Sequence, residues 1–359
     1  IPSPPMGITI IASVLRENGI NVSLLDCHIS EPDEIKEAIK NADIVGIYTS
    51  TLVAKSALEI ADYAKMLGKK VIVGGPHATI DSNFFLKHNS VDCVLRGECD
   101  YSLLKFLKGD KKVEGLVYKE NGKIIDNGKG RIIEDLDELP FPAFDLLPMD
   151  RYFKISKGFI SLITSRGCPY NCLFCAKEIG GYKYRIRSAK KVVEDIKKIV
   201  EDYNPHFIYF CDDIFTLDRK RTKDLCRLII KNDISVFWGC ETRVDAVDEE
   251  IIRLMKKANC RSIALGIESG SQKIIDYLNK RFTIEKVKEI TKLIRKYDID
   301  VHYFIIISSK IEDWDDIEKT KELIREMKPD GLTVNIFTPL PGTRAYEDLK
   351  DKIIDDVVE

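Results

Sequence analysis

Two series of alternating strand and helix patterns constrain this chain more than any other feature. In the longer series, six apolar runs of strand length alternate with amphipathic runs of helix length. Its strands are predicted at 160–164, 207–211, 236–240, 262–267, 301–307 and 332–337. Short apolar runs between helices are typical of parallel sheets covered by helices. Six units are too few for a closed eight-stranded barrel, so we predict a partial (β/α)6 barrel of the TIM type.

A shorter series of the same kind occupies residues 1–127. Its strands are predicted at 21–25, 44–49, 70–73 and 91–95, with helical patterns between them. A hairpin with Asn121-Gly122 at its turn is predicted over 113–126, because Asn-Gly suits a two-residue turn. Together these patterns predict a Rossmann-like, doubly wound α/β domain. Such a domain usually opens on a strand, and here a helical pattern comes first, so we expect a first strand upstream of Ile1.

The sequence between the two series has a different composition. Residues 128–158 are acidic and contain prolines and aromatic residues, which is typical of a linker that packs on its neighbours. Phe141, Phe144 and Leu146 are the linker residues that we expect to be buried. The predicted α/β chain therefore consists of a Rossmann-like domain (1–127), the linker (128–158), the partial barrel (159–345) and the start of a C-terminal extension (346–359).

Composition argues against several classes of function. The 359-residue chain has a formal net charge of −2 and no long basic run, so we expect no nucleic-acid partner. No apolar run reaches the ~18 residues of a membrane-spanning helix, and the first residues lack a signal-peptide pattern. Seven of the ten cysteines are scattered, as buried thiols are in the reducing cytosol. We therefore expect a cytoplasmic protein without a membrane span.

Three cysteines are clustered in the loop after the first barrel strand. Cys168, Cys172 and Cys175 lie in the stretch RGCPYNCLFC, with Cys-x3-Cys-x2-Cys spacing. Structural zinc needs four ligands, usually in two pairs, and the next candidates, His206 and Cys211, belong to a later strand. A c-type haem needs Cys-x-x-Cys-His, whereas an alanine follows the last cysteine here. A disulfide would leave one thiol unpaired and disagrees with the cytosolic prediction.

An iron–sulfur cluster agrees best with this spacing. Thiolates hold cluster irons, and three of them on one short loop are able to bind three irons of a [4Fe–4S] cube. The fourth iron then stays open to a ligand that binds through an amine and a carboxylate. A protein that only carries electrons would close this position with a fourth cysteine.

The loop and its position resemble the signature of the radical S-adenosylmethionine (SAM) superfamily. In that family the three-cysteine motif, with an aromatic residue such as Phe174 before the last cysteine, follows the first strand of a partial barrel. The resemblance implies that SAM chelates the open iron and that an electron from the cluster releases a 5′-deoxyadenosyl radical. Such cofactors carry the difficult chemistry, while the protein positions and shields them.

The same resemblance implies where SAM is held. Family motifs end four of the strands, and the matching residues are Asp212, Asp213, Arg243, Glu268, Ser269 and Asn335. The acidic pair is expected near the SAM amino group, Arg243 in a bidentate pair with the carboxylate, and Glu268 on the ribose hydroxyls. Structural alternatives stay open: the aspartates as helix caps, Arg243 in a salt bridge and Glu268 as a solvated loop acid.

One loop departs from the family pattern. Relatives often carry a glycine-rich turn after the fifth strand, whereas residues 307–313 contain no glycine. The resemblance places adenine near the end of the sixth strand, at Asn335 and residues 339–342. We therefore assign no adenine contact to 307–313.

The first domain resembles the cobalamin-binding domain that precedes the radical SAM domain in a large subfamily. The resemblance rests on 73–79 (VGGPHAT) and 95–98 (LRGE), and it continues into the linker at 134–142. The residues assigned to cobalamin are Ser50, Thr51, Gly74, Gly75, Pro76 and His77. Glycines let the backbone approach a bulky ligand. The hydroxyls of the first two residues bond a nucleotide tail or, alternatively, cap the helix that follows.

Two related assignments are not supported by the residues of this domain. Asp26-Cys27-His28 is similar to a cobalt-ligating Asp-x-His-x-x-Gly motif, but Glu31 replaces the glycine and the motif follows the wrong strand. We expect His28 at the surface and cobalamin without a protein histidine on cobalt. The methylthiotransferase branch has three further cysteines for a second cluster, an arrangement that the cysteines of this domain do not show.

These resemblances imply a cobalamin-dependent radical SAM enzyme, in the simplest case a class B-type methyltransferase that acts on an unactivated carbon. The deoxyadenosyl radical would remove hydrogen from a small-molecule, lipid or peptide substrate, and methylcobalamin would supply the methyl group. An external electron donor of the ferredoxin or flavodoxin type would reduce the cluster. Two other hypotheses stay open: a radical SAM cyclisation or rearrangement without methyl transfer, and a non-catalytic iron–sulfur sensor or carrier.

Overall fold

A computed structural model describes residues 3–353, apart from the side chains at positions 178 and 179. The chain divides into two units: unit 1 comprises Ile1–Ile155, Ala176–Gly181 and Pro339–Glu359, and unit 2 comprises Ser156–Cys175 and Tyr182–Thr338. Both contain sheets with parallel strands flanked by helices, so the predicted α/β class is confirmed. Residues 1–2, and 354–359 of the predicted extension, lie outside the described part.

Unit 1 is built on a five-stranded sheet in the order β1-β2-β3-β4-β5. The strands are β1 (Ile44–Tyr48), β2 (Lys70–Gly74), β3 (Cys93–Leu95), β4 (Leu116–Glu120) and β5 (Lys123–Asp126). The first three strands are parallel, and β4 and β5 form an antiparallel hairpin. The hairpin turns at Asn121 and Gly122, both with positive φ, as their sequence predicts.

Helices cover the sheet of unit 1. The helices of unit 1 are α1 (Met6–Glu17), α2 (Pro32–Asn41), α3 (Ala54–Met66), α4 (Pro76–Ile80), α5 (Ser82–Lys87), α6 (Ser102–Leu107), α7 (Met149–Ser156, which ends at the first residue of unit 2) and α8 (Lys177–Gly180), and of these α3, α4 and α5 contact the strands. Helix α3 packs on β1 and β2 through buried alanines at helical spacing: Ala54, Ala57, Ala61 and Ala64. Small side chains on one face let this helix approach the strands closely.

Residues 21–25 do not form the predicted strand. Residues 20–24 and β1 line the same cavity, which has a volume of about 520 Å³. A strand needs a neighbour about 4.8 Å away for its hydrogen-bond ladder, and this segment has no such neighbour among the described residues. The prediction was wrong because apolar composition alone does not provide a pairing partner. The strand expected upstream of Ile1 stays a prediction.

The linker packs against α1. The Ser13 hydroxyl donates to the carbonyl oxygen of Phe141 at 2.6 Å. Phe144 is fully buried, and its ring meets that of Phe141 edge-on with centroids 5.7 Å apart. Phe141 and Leu146 are half-buried, so the expected burial is complete for Phe144 alone of the three.

Unit 2 is built on a six-stranded parallel sheet whose strands follow one another in chain order. They are β6 (Phe159–Leu162), β9 (Phe207–Phe210), β10 (Phe237–Thr242), β11 (Cys260–Glu268), β12 (Asp300–Ile307) and β13 (Gly331–Ile336). A small antiparallel pair, β7 (Ser165–Arg166) and β8 (Arg185–Ile186), follows the first of them. This sheet is the predicted partial barrel of six strands.

The helices of unit 2 lie between these strands in the chain. They are α9 (Ala189–Tyr203), α10 (Arg219–Lys231), α11 (Glu249–Lys257), α12 (Gln272–Tyr277), α13 (Ile284–Lys296) and α14 (Trp314–Met327), and α15 (Arg344–Leu349) follows in unit 1. Asp218, Asp248 and Asp313 cap α10, α11 and α14 by accepting from backbone N–H groups of the first turn. No helix in residues 3–353 is long and apolar enough to cross a membrane.

The sheet of unit 2 has one face under helices and one that we call the inner face. Successive side chains of a strand point to opposite faces. Phe210, Cys240 and Leu265 lie on the helix side and are fully buried. Tyr209 and Glu241 lie on the inner face and are half-buried. The inner face is therefore the side on which polar groups of the strands are accessible.

Candidate functional site

The three-cysteine loop follows β7, close to the carboxyl end of the first barrel strand. Cys168 and Cys172 are buried, Cys175 is half-buried, and none of them forms a disulfide. Residues 3–353 contain no group of three or more His, Cys, Asp or Glu side chains gathered as around a single ion. Three thiolates that bind three different irons need no common point, so this donor set fits a [4Fe–4S] cube.

Two hydrogen bonds join the segment after α12 to the cysteine loop. The Leu173 amide donates to the carbonyl oxygen of Leu278 at 3.1 Å, and the Asn279 side-chain amide donates to the carbonyl oxygen of Asn171 at 2.5 Å. Asn279 has a φ of 57°, a conformation that asparagine tolerates better than most residues. This segment has no motif that predicts its role, and its local signal is Asn279, the second residue after α12.

Glu268 is turned onto the inner face by a β-bulge at the end of β11. The register shifts between Gly266 and Glu268, and Glu268 has a φ of 66°. Its Oε1 accepts from Nζ of Lys280 at 2.7 Å, with both side chains buried. A Cβ atom on Gly266 would lie 2.8 Å from Oε1, so the ion pair lies directly over this glycine. Glu268 is not a solvated loop acid, and Lys280 was missed by the sequence analysis.

The Arg243 guanidinium lies beside the cysteine loop. Its Nε and Nη2 donate to the two carboxylate oxygens of Asp245, each at 2.8 Å. The group stacks on Tyr170 at 3.7 Å from the ring centroid. The sequence predicts that Nε and Nη2 of Arg243 bind SAM in a bidentate pair. In the structure these two donors bind Asp245 instead, which is the salt bridge given above as the alternative. Nη1 is buried without a hydrogen-bond partner among the described residues, so one donor remains for an anionic ligand such as the SAM carboxylate.

The two adjacent aspartates have different environments. Asp212 is fully buried and accepts from the amide of Thr164 at 2.9 Å and from the hydroxyl of Ser165 at 2.5 Å. Burial raises the pKa of Asp212, while the positive charge of Arg221 and these donors oppose the shift. Asp213 is exposed. Neither residue caps α10, so Asp212 fixes the strand end before the cysteine loop and Asp213 remains accessible.

The remaining residues assigned to SAM, Ser269 and Asn335, have different surroundings. Ser269 is buried, its hydroxyl lies 3.0 Å from that of Thr320 on α14, and it accepts from the amide of Ser271 at 3.1 Å. This hydroxyl is therefore engaged in joining the end of β11 to α14. Asn335 is exposed near the end of β13. Their contacts with SAM stay predictions.

The loop after β12 contains no glycine, and the carboxylate of Glu312 stabilises its turn. Ser308 has a φ of 66°, which is unusual for a residue with a side chain. Oε2 of Glu312 accepts from the amides of Ser308 and Ser309. Glu312 thus stabilises a backbone conformation that glycine adopts more easily.

In unit 1, the residues assigned to cobalamin lie at the carboxyl ends of β1 and β2. Gly75 has a φ of 103°, and a Cβ atom there would lie 2.6 Å from the carbonyl oxygen of Thr49. Gly74 and Gly75 line part of the cavity of about 520 Å³, which also extends along β1 to residues 41–43 at its amino end and is bounded by α1, α6 and residues 20–24. This volume is in the ~300–1,000 Å³ range of small-molecule sites. Strand ends of parallel sheets are where α/β domains bind ligands, so these residues fit part of a cobalamin molecule.

Thr51 and His77 form a buried pair beside this turn. Their Oγ1 and Nδ1 atoms are 3.2 Å apart, and His77 packs edge-on against Phe84 and Phe85. Ser50 makes no side-chain capping bond to the 3₁₀ turn that follows it, and Pro76 is half-buried. The structure therefore does not form the capping alternative for Ser50, and it places His77 in a core-like environment.

His28 is exposed, in agreement with the expectation from the sequence. In the same segment, Oδ2 of Asp26 accepts from the Tyr152 hydroxyl at 2.6 Å. Asp26 thus tethers the linker instead of orienting a histidine.

Two family profiles match the chain, in separate parts of the sequence. The radical SAM superfamily profile matches residues 162–324, and the B12 binding domain profile matches residues 2–106. The first range contains the three cysteines, and the second contains all six residues assigned to cobalamin.

Relatives extend this likeness over nearly the whole chain. An uncharacterized methyltransferase of Pyrococcus horikoshii is 32% identical over 96% of this chain and 78% of its own length. An anaerobic magnesium-protoporphyrin IX monomethyl ester cyclase of Rubrivivax gelatinosus is 30% identical over 98% of this chain and 67% of its own length.

A solved structure shows the same fold. The cobalamin-dependent S-adenosylmethionine radical enzyme OxsB, with aqua-cobalamin bound, has a TM-score of 0.81 over 98% of this chain at 22% identity. This chain spans 54% of the OxsB chain.

The matched domains and the donor sets agree on the cofactors, which are a [4Fe–4S] cluster, SAM and cobalamin. The cysteine loop, the orphaned Arg243 donor and the glycine turn after β2 are the corresponding features of the structure. The chain belongs to the radical SAM superfamily, among its enzymes that carry a B12-binding domain ahead of the radical SAM domain.

Proposed function

We propose that this enzyme methylates an unactivated carbon of its substrate. The cluster and SAM supply a carbon-centred radical, and cobalamin supplies a methyl carrier. The observation that carries the proposal is the presence of both cofactor domains in one chain that is 32% identical to a protein named a methyltransferase. A methyl carrier has an evident use in methyl transfer, whereas radical formation alone needs only the cluster and SAM.

Two side chains of unit 2 would hold SAM. Glu268 uses Oε1 for Lys280, and its Oε2 has no hydrogen bond within residues 3–353, so it is free to accept from ribose hydroxyls. Nη1 of Arg243, which is buried without a hydrogen-bond partner among the described residues, would donate to the SAM carboxylate beside the cysteine loop. Because Lys280 and Asp245 already fix these two groups, they need little reorganisation when SAM binds.

The substrate class and the electron donor are part of the same proposal. The substrate is a small molecule, a lipid or a peptide that reaches the inner face of unit 2. An external electron donor of the ferredoxin or flavodoxin type reduces the cluster, and such donors are available in the cytoplasm, where we place the enzyme.

A ring-forming or rearrangement reaction is the second candidate. It is favoured by the cyclase of Rubrivivax gelatinosus, which is 30% identical over 98% of this chain. Such a reaction would use the same SAM residues, with cobalamin in a role other than methyl transfer.

The test uses the full chain, reconstituted anaerobically with iron, sulfide and hydroxocobalamin and then desalted. We expect a corrinoid spectrum to stay with the protein. After reduction, SAM labelled in its methyl group should transfer label to the bound corrinoid and also yield 5′-deoxyadenosine. Formation of 5′-deoxyadenosine without label on the corrinoid would favour the second candidate. Absence of 5′-deoxyadenosine would contradict both.

A further inference from the structure

We propose that the cavity beside β1 receives a β-strand of this protein's own chain, namely the segment that leads into α1 from upstream of Ile1. The strand would lie between β1 and residues 20–24 and pair with both. This inference goes beyond the proposed function, because it concerns how unit 1 completes its sheet and its ligand site, and not which reaction the enzyme catalyses.

The cavity has the position and the length of a strand. It runs along the whole of β1, from residues 41–43 at the amino end to Gly74 and Gly75 at the carboxyl end of β2. Residues 20–24 bound it as well, and α1 and α6 line it with apolar side chains, among them Ile11 and Leu103. β1 has five residues, and five residues of strand are about 16 Å long. A cavity with these boundaries fits an apolar strand that lies alongside β1.

β1 is an edge strand that has the sequence of a central strand. Its residues IVGIY are almost all apolar, which is typical of strands buried on both faces, yet Ile44 is 38% exposed and Tyr48 52%. The Thr49 amide donates to the carbonyl oxygen of Gly74 on β2. Because the N–H and C=O groups of successive residues point to opposite edges of a strand, those of Gly46 and Tyr48 point away from β2. Both residues line the cavity, so this edge of β1 is available for a further strand.

The segment 21–24 also lacks a pairing partner. Its backbone groups form no hydrogen bond within residues 3–353, although the segment has strand composition. A strand between β1 and residues 21–24 would give both of them a neighbour about 4.8 Å away. The inserted strand also explains why the strand predicted at 21–25 does not form without it.

The direction of α1 identifies the occupant. Leu15 of α1 and Leu104 of α6 belong to one buried cluster. Directly after the two helices, Nζ of Lys108 donates to Oδ1 of Asn18 at 3.2 Å, so α1 and α6 end side by side. α6 follows the carboxyl end of β3 and returns toward the amino ends of the strands, and α1 therefore does the same. The chain enters α1 at the carboxyl edge, where Met6 is buried, so a strand that leads into α1 would run parallel to β1.

The inserted strand gives the sheet the flavodoxin-like order of doubly wound domains. The chain would pass from this strand through α1 to residues 20–24, and then through α2 to β1. The order across the sheet becomes second, first, third, fourth, fifth. Such sheets bind ligands at the carboxyl ends of the first and third strands, and here that point lies beside Tyr48 and Gly75. The last residues of the inserted strand would therefore line the cobalamin site.

The test compares the protein translated from the start codon of its gene with the chain that begins at Ile1. Both are reconstituted in the same way. Backbone hydrogen exchange is measured by mass spectrometry at low and high protein concentration, with and without hydroxocobalamin. The variant is Gly46→Pro, which removes an N–H group that points into the cavity. β5 is the internal reference, since it lies at the opposite edge of the sheet.

We expect residues 44–48 and 21–24 to exchange at least about tenfold more slowly in the longer protein, with β5 changed less than about twofold. Gly46→Pro should speed exchange of residues 21–24 in the longer protein about tenfold, because the inserted strand joins this segment to β1. The same variant should leave residues 21–24 unchanged in the chain that begins at Ile1. The strain of proline itself is present in both proteins, so the difference between them reports the strand.

Equal exchange of residues 44–48 in the two proteins would overturn the inference, as would a gene without an apolar run of strand length before Ile1. Protection that appears only at high protein concentration would assign the cavity to a strand of a second copy, and protection only with hydroxocobalamin would assign it to the cofactor; both results contradict the inference. If the shorter chain does not fold, the effect of Gly46→Pro on residues 21–24 of the longer protein decides alone. None of these readouts depends on radical formation or methylation, so a failure here is distinct from a failure of the proposed function.

Discussion

The ammonium group of Lys280 lies 2.7 Å from Oε1 of Glu268, and both side chains are buried at the end of β11. Lys280 also faces the ring of Phe174 in the cysteine loop, 5.7 Å from its centroid. Its neighbour Asn279 is bonded to Asn171 in the same loop. One short segment therefore joins the residue assigned to the SAM ribose to the loop that holds the cluster.

Lys280→Met should impair both stability and SAM binding. The change leaves the buried Glu268 carboxylate without its partner, which typically costs about 3–5 kcal/mol. We expect a lower melting temperature and a SAM Kd raised by at least about tenfold. The double variant Glu268→Gln, Lys280→Met should recover stability but not SAM affinity, and Lys292→Met, on the exposed side of α13, should change neither. A Lys280→Met protein as stable as the parent would show that the pair contributes little.

Cys172→Ala should abolish the cluster absorbance of the reconstituted protein, because two thiolates cannot hold the cube on this loop. Cys27→Ala is the matched control, since Cys27 is exposed in unit 1 and outside the cysteine loop. Iron content and the visible spectrum check both variants. A full cluster spectrum in Cys172→Ala would disprove the ligand assignment.

Asp212→Asn and Asp213→Asn should separate a structural carboxylate from a ligand-binding one. Asparagine at position 212 removes an acceptor from the donors of Thr164 and Ser165 and the counter-charge of Arg221, so we expect a loss of about 2–4 kcal/mol in stability. The exposed Asp213 should tolerate the change, with SAM affinity reduced about tenfold. Thermal unfolding measures the stability of each variant, and SAM titration measures its SAM affinity. A destabilised Asp213→Asn protein together with a stable Asp212→Asn protein would contradict the assignment.

Gly75→Ala should reduce cobalamin retention. The added Cβ atom would lie 2.6 Å from the Thr49 carbonyl oxygen, and the φ of 103° is strained for alanine. The turn after β2 therefore has to move, and the cavity wall moves with it. Gly7→Ala in α1 adds a Cβ atom with nothing within 4 Å and is the matched control. The measurement is the amount of corrinoid bound per protein after desalting. Equal retention in both variants would show that the turn after β2 does not contribute to cobalamin binding.

The sequence predicted those parts of the molecule that depend on local pattern. The six barrel strands follow from apolar runs between helices, and the three-cysteine loop from its spacing. The hairpin follows from Asn121-Gly122. In each case the signal lies in fewer than about ten consecutive residues, so no knowledge of distant partners is needed.

The features that were missed depend on pairing between distant segments. Residues 21–25 have strand composition but no neighbouring strand, and composition cannot show this. The position of the Glu268 side chain follows from a bulge against β12, and its partner Lys280 comes from a loop without a family motif in the sequence analysis. Arg243 was assigned to SAM, but its bidentate edge binds Asp245, two residues further along the chain.

The most direct test of the account follows the methyl group of SAM into a product. The reduced holoenzyme, containing both cluster and cobalamin, is incubated anaerobically with a metabolite extract and SAM that carries a trideuterated methyl group, and products are identified by mass spectrometry. We predict a metabolite that gains one trideuteromethyl group in parallel with 5′-deoxyadenosine, and only when cobalamin is present. Production of 5′-deoxyadenosine with a changed metabolite that carries no deuterated methyl group would contradict methylation.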